Sequence, residues 1–143
     1  MLIRNFFGLS ALISLTTGIG IYFFFRNTNM ILFSWIPEIK FINSIYIPVN
    51  RSFFSSLFLF NLPDALWFLS GILFLRFLWF YKIKEQIVYI TSFYIIGLSF
   101  EISQLSNIIP GTFDYLDLLF LSIVAFVEGL LYIKLFRRKL YEK

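Results

Sequence analysis

Glu101 and Gln104 lie three residues apart, so on a helix they share a face, and Asp114 and Asp117 repeat that spacing beyond a short Pro110-Gly111 turn. Oxygen-bearing side chains on two segments joined by so tight a turn are expected to bring several ligand atoms within reach of one point. Asp64, at the start of another apolar segment, belongs to the same group. Such a cluster can hold a cation or a cationic or hydroxyl-rich headgroup; with Glu101 as general acid or base it could also take part in catalysis. No nucleophile motif accompanies Glu101, so binding is favoured, no catalytic residue is assigned and no cofactor is expected. The residue types leave open whether a metal ion is held. The bland alternative is helix-end chemistry, in which Asp64, Asp114 and Asp117 cap free N–H groups and complement the dipole of a helix start. Glu101 does not fit that alternative. It sits towards the carboxyl end of its run, where the dipole disfavours a negative charge.

The segments that carry these residues are apolar. Of 143 residues, 59% are hydrophobic, 22% aromatic and only 14% charged, where a soluble domain carries about a quarter charged residues. Twenty-one phenylalanines exceed what a core of this size can hide, and the surplus needs lipid as its solvent. Carboxylates within or beside hydrocarbon are costly, which makes each one a site candidate. There is no cysteine and no histidine. Disulfides, Cys or His zinc sites, His-ligated haem, iron–sulfur clusters and a His general base are thereby excluded. The net charge of +4 does not point to nucleic acid, because the basic residues gather at the ends of the apolar runs.

The expected fold is an all-α, four-transmembrane-helix bundle forming a single membrane domain over residues 1–143. The first span covers about Asn5 to Phe25, framed by Arg4 and Arg26; its apolar run is too long for a cleaved signal peptide and lacks a small-x-small site. A long connection, Asn27 to Asn61, carries Pro37, Glu38, Lys40, Pro48 and Arg51. Within it Phe53 to Phe60 is apolar but too short to span, and an interfacial or re-entrant course is expected, with Trp35 and Tyr46 at headgroup level. Asn61-Leu62-Pro63-Asp64 reads as the opening of the second span, Leu62 to Tyr81, with Asn61 as N-cap and Pro63 in the first turn. A charged loop at Lys82, Lys84 and Glu85 precedes the third span, about Gln86 to Ile108, which Pro110-Gly111 should end. The fourth covers about Asp114 to Phe136 and leads into the basic tail from Arg137 to Lys143.

With four spans, Arg4, Lys82, Lys84, Lys134, Arg137, Arg138, Lys139 and Lys143 share one side, against Arg26, Lys40 and Arg51 on the other. This asymmetry predicts both termini in the cytoplasm and the acidic cluster outward. Two charges remain within the spans. Arg76 lies six residues before Lys82 and Glu128 nine before Arg137, so their depths differ by only about 4–5 Å. A structural ion pair between the second and fourth spans is expected, with Gly129 letting the helices approach. Asp117 and Glu128 also lie on one helical stripe, with Leu121 and Val124 between them, and both ends of that stripe should turn away from lipid.

Glu101-x-x-Gln104, a short loop, then Phe113-Asp114-x-x-Asp117 opening a glycine-bearing last span resembles the VanZ-like family of small bacterial membrane proteins, and Leu62-Pro63-Asp64 is similar to the polar entry of that family's earlier helix. The resemblance covers about residues 61–131. Glu101, Gln104 and Asp117 match best, while the family's usual Arg is missing from Ile108 to Thr112 and Leu121 stands where it usually has an Asn. The resemblance implies a cell-envelope protein of the bacterial cytoplasmic membrane linked to glycopeptide resistance. The function expected is binding, at the outward acidic site, of a lipid-linked or cell-wall component or an amphiphilic drug. The alternatives are an accessory subunit working with partner membrane proteins, and a carboxylate-dependent enzyme on lipid-linked substrates.

Overall fold

A computed structural model describes residues 2–25, 53–109 and 113–141 of the chain. The expected interfacial course of the first connection therefore lies mostly outside the described residues, as does the Pro110-Gly111 turn. The fold is an all-α bundle of four helices, with no strand among the described residues: α1 (Leu2–Phe25), α2 (Phe53–Leu78), α3 (Ile83–Leu105) and α4 (Tyr115–Tyr141). All four are long and apolar enough to cross a membrane, with candidate spans of 24, 21, 23 and 20 residues, and about 20 residues suffice for a hydrocarbon core of roughly 30 Å. Large side chains such as Phe6, Leu9, Ile95 and Phe126 are more than half exposed. In water they would form patches larger than a monomer tolerates; in lipid they are solvated. The chain is a multi-pass membrane protein.

The core is organised around α2, which touches all three other helices, whereas α1 packs on α2 alone. The buried positions of α1 show why. Phe7, Ala11, Ser14, Gly18 and Tyr22 recur every three or four residues and make a single seam. Phe7 and Ala11 join Leu73 and Phe80 in one cluster, and Tyr22 stacks on Trp67 at the other end with ring centroids 4.8 Å apart. The two helices are thus antiparallel. Contact is closest at Gly18, where an added Cβ would lie 3.2 Å from the Pro63 carbonyl oxygen and 2.6 Å from the Trp67 ring. On its opposite face α2 presents Phe68 and Ile72, which pack with Leu121 of α4 and with Ile90, Phe93 and Tyr94 of α3. In lipid such contacts act through close packing rather than release of water.

Three expectations need correction. Phe53 to Phe60 is no separate interfacial or re-entrant piece; it is continuous with α2, so Asn61 and Pro63 lie inside a helix rather than at its start. Proline is tolerated there because neighbouring helices compensate the lost backbone bond in a membrane protein, and Pro63 is fully buried against them. The end of α3 is likewise not set by Pro110-Gly111. The chain leaves the helix at Asn107, in the left-handed conformation (φ 53°), while the Asn107 N–H donates to the Gln104 carbonyl at 3.0 Å and the Ile108 N–H to the Ser103 carbonyl at 2.9 Å. That pair of bonds closes a helix with a non-helical residue, a role Asn fills when Gly is absent. Third, Gly129 faces open space. It is one residue past Glu128, hence about 100° around the helix from the face that meets α2. Among the described residues no group of three or more Asp or Glu side chains is placed to hold a metal ion, a point the residue types had left open.

Candidate functional site: two polar clusters at opposite ends of the bundle

Because α1 and α2 are antiparallel and α2–α3 and α3–α4 are joined by short connections, the carboxyl ends of α1 and α3 share one end of the bundle with the Asn61–Asp64 turn of α2 and the start of α4. This end gathers Asp64, Glu101, Gln104, Asp114 and Asp117. Asp114 caps α4: its Oδ1 accepts the Leu116 N–H at 2.9 Å, and its carbonyl accepts the Asp117 N–H at 3.1 Å. The helix-end account therefore holds for Asp114. Asn61 ties this start to α2, since its amide donates to Asp117 Oδ1 at 2.8 Å and lies 3.4 Å from Asp114 Oδ2. Asn61 is only 2% exposed, and a buried amide needs such partners. Across the bundle the buried Tyr22 hydroxyl donates to Asp64 Oδ1 at 3.1 Å.

Glu101 is the exception in this group. It is half-buried on α3 within electrostatic range of Asp117, Asp64 and Asp114, in falling order of strength. Its Oε2 is buried and accepts no hydrogen bond from any described residue. Gln104, one turn further along α3, is half-buried too. Among the described residues the acidic end thus holds four carboxylates. Every basic side chain described in the structure, namely Arg4, Arg76, Lys82, Lys84 and Lys134, lies towards the other end.

The opposite end holds a closed network. Arg76 of α2 meets Glu128 of α4 through two bonds, Nε to Oε1 and, at 2.7 Å, a terminal nitrogen to Oε2. Its other terminal nitrogen donates to Gln86 Oε1 on α3 at 2.8 Å, and the Gln86 amide returns a bond to the Arg76 carbonyl at 3.3 Å. The guanidinium also stacks on Tyr132, 3.5 Å from the ring centroid. Arg76 and Glu128 are each 5% exposed and Gln86 is wholly buried. A bidentate guanidinium–carboxylate contact with its remaining donors satisfied is the arrangement that makes a buried charge pair tolerable.

Sequence reasoning missed Tyr22, Gln86 and Tyr132, and assigned Asn61 a capping role it does not have. Gln86 did leave a signal. Arg76 and Gln86 flank the turn at Trp79–Lys82 at similar distances, which sets them at matching depths on adjacent helices. Tyr22 left none, because an aromatic at a span end reads equally well as an interface anchor. The chain matches no protein-family model, no curated protein and no solved structure.

Proposed function

We propose that this is a VanZ-like cell-envelope protein of the bacterial cytoplasmic membrane, with both termini cytoplasmic. Its acidic end faces outward and binds the cationic or hydroxyl-rich head of a lipid-linked or cell-wall component, or of an amphiphilic drug. The observation that carries this reading is the Glu101 carboxylate, whose buried Oε2 has no hydrogen-bond donor among the described residues and stands among three further carboxylates. A carboxylate half out of water, beside like charges, is held at a cost that an ammonium or hydroxyl group would offset. The helix-end account leaves this residue unexplained, because Glu101 is near the negative end of the α3 dipole. The outward orientation rests on the Lys/Arg asymmetry of the loops. Binding to a headgroup at the outer surface, without covalent chemistry, fits a site with hydrogen-bonding carboxylates that no nucleophile motif accompanies.

The test is complementation of a deletion strain under cell-wall stress with Glu101→Gln and Asp117→Asn, membrane levels being measured alongside. Glu101→Gln keeps shape and hydrogen-bonding capacity but removes the charge. Loss of the envelope phenotype at normal abundance is the expected result; full complementation would reduce the acidic end to capping and packing. Reporter fusions at Lys84 and Lys143 should read cytoplasm and one near Lys40 outside. A cytoplasmic signal near Lys40 would turn the acidic end inward and remove the basis for an outer-surface ligand.

A further inference from the structure

A second feature lies on the other side of α2 and near the opposite membrane surface. Between α1 and α2 runs an apolar groove of about 670 Å³, walled by Gly8, Leu9, Leu12 and Leu15 on one helix and by Phe74 and Phe77 on the other. Leu9, Leu12 and Phe74 are half exposed or more, so the groove opens to whatever surrounds the bundle. At Gly8 the Phe77 ring closes on α1 and forms one wall of the groove; an added Cβ there would lie 3.0 Å from that ring.

The headgroup end of the groove is marked by charge. Arg4 lies one turn before Gly8, with its guanidinium carbon 5.4 Å from the centroid of the Phe77 ring that forms the groove wall. Its Nε is buried and donates to no acceptor among the described residues. Among those residues the single ion pair is Arg76–Glu128, so Arg4 has no carboxylate. It is also placed in the first turn of α1, where the positive end of the helix dipole disfavours a cation. Both features call for an anion at this point. The distance from Arg4 to Leu15 along α1 is about 16 Å, close to half of a hydrocarbon core of roughly 30 Å. The groove therefore starts at headgroup level and ends near the midplane, the reach of one leaflet's acyl chain.

We propose that the α1–α2 groove is a binding site for an anionic phospholipid of the leaflet that bathes the start of α1. One acyl chain lies along Gly8, Leu12 and Leu15, and the phosphate is held by Arg4. A basic side chain beside a groove between membrane helices is a recurrent way of holding an anionic headgroup. This site is independent of the acidic end. It selects a negative headgroup in one leaflet, whereas the acidic end excludes one in the other.

The test uses the full chain purified in a non-ionic detergent and titrated with dioleoyl phosphatidylglycerol or dioleoyl phosphatidylcholine, with bound lipid counted by native mass spectrometry. The wild type should bind phosphatidylglycerol at least fivefold more tightly. Arg4→Gln should bring that ratio close to one. Lys84→Gln, which removes a charge at the same membrane surface, should leave the ratio unchanged. Leu12→Trp, on the exposed rim, should fill the groove and weaken binding of both lipids without lowering the melting temperature. A ratio that survives Arg4→Gln, or falls equally with Lys84→Gln, would overturn the site, since general surface charge would then explain the selectivity. Lipid binding unchanged in Leu12→Trp would overturn it as well. So would conversion of a dimer to a monomer by Leu12→Trp with no change in lipid binding, which would make a second copy the occupant.

Discussion

The two ends of this bundle place the same residue types in opposite situations. At the basic end, Arg76 and Glu128 are almost fully buried, yet the charges cancel and three helices are tied by hydrogen bonds through Gln86. At the acidic end, Asp64, Glu101, Asp114 and Asp117 are less buried, and Glu101 Oε2 accepts no hydrogen bond from any described residue. Depth in the membrane is therefore a poor guide to which carboxylate has its hydrogen bonds satisfied. What separates the two is completeness. A network that satisfies itself holds helices together; the proposed ligand site rests on Glu101 Oε2, which has no donor among the described residues.

This contrast is broken most forcefully at Arg76. Arg76→Ala or Glu128→Ala leaves an uncompensated buried charge and should cost about 3–5 kcal/mol, read as a lowered melting temperature in detergent. The double variant should cost less than the two singles together, by about 1.5–3 kcal/mol. Strict additivity would mean that the pair does not act as a unit. Next comes Asn61→Ala, which strips the amide from Asp114 and Asp117 and should cost about 1–3 kcal/mol. An unchanged melting temperature would show that the amide does not hold α4 to α2. At the acidic end proper the sign is different. Glu101→Gln should leave stability within about 0.5 kcal/mol of wild type, because no bond to its Oε2 is lost and one of several like charges is removed. A loss as large as that at Glu128 would place Glu101 among the structural residues. The two glycines should differ in sign: Gly129→Ala, at an open helical position, should stabilise by up to about 1 kcal/mol, whereas Gly18→Ala, against Trp67 and Pro63, should destabilise by about 1–3 kcal/mol.

The four spans were legible because an apolar run of some twenty residues has few alternative fates. The meeting of Arg76 and Glu128 could be anticipated from depth, because the helical rise converts sequence distance from a charged loop into position across the membrane. Asn61-Leu62-Pro63-Asp64 misled for a physical reason. In water such a string favours a helix start, where side-chain oxygens and a missing N–H suit the unsatisfied first turn. Within a bundle the same polar groups find partners on neighbouring helices, Tyr22 for Asp64 and Asp117 for Asn61, and the helix runs on. Gln86 was overlooked because a glutamine beside a charged loop resembles solvated surface; only the packing of α3 against α2 buries it. The glycines at close approach are Gly18 against Trp67 and Pro63, Gly71 against Phe93 and Gly8 against Phe77, whereas Gly129 meets nothing.

The central claim is that the acidic end carries a ligand and the paired end does not. The most direct measurement is mass spectrometry of the lipids and envelope components that co-purify with the wild-type protein and with Glu101→Gln, in mild detergent and at matched melting temperatures. A component bearing an amine or a hydroxyl-rich head should accompany the wild type and be depleted at least tenfold in Glu101→Gln. Lys84→Gln, a charge change at the other end, should retain it. Identical profiles for wild type and Glu101→Gln would contradict the account and leave both clusters as parts of the scaffold.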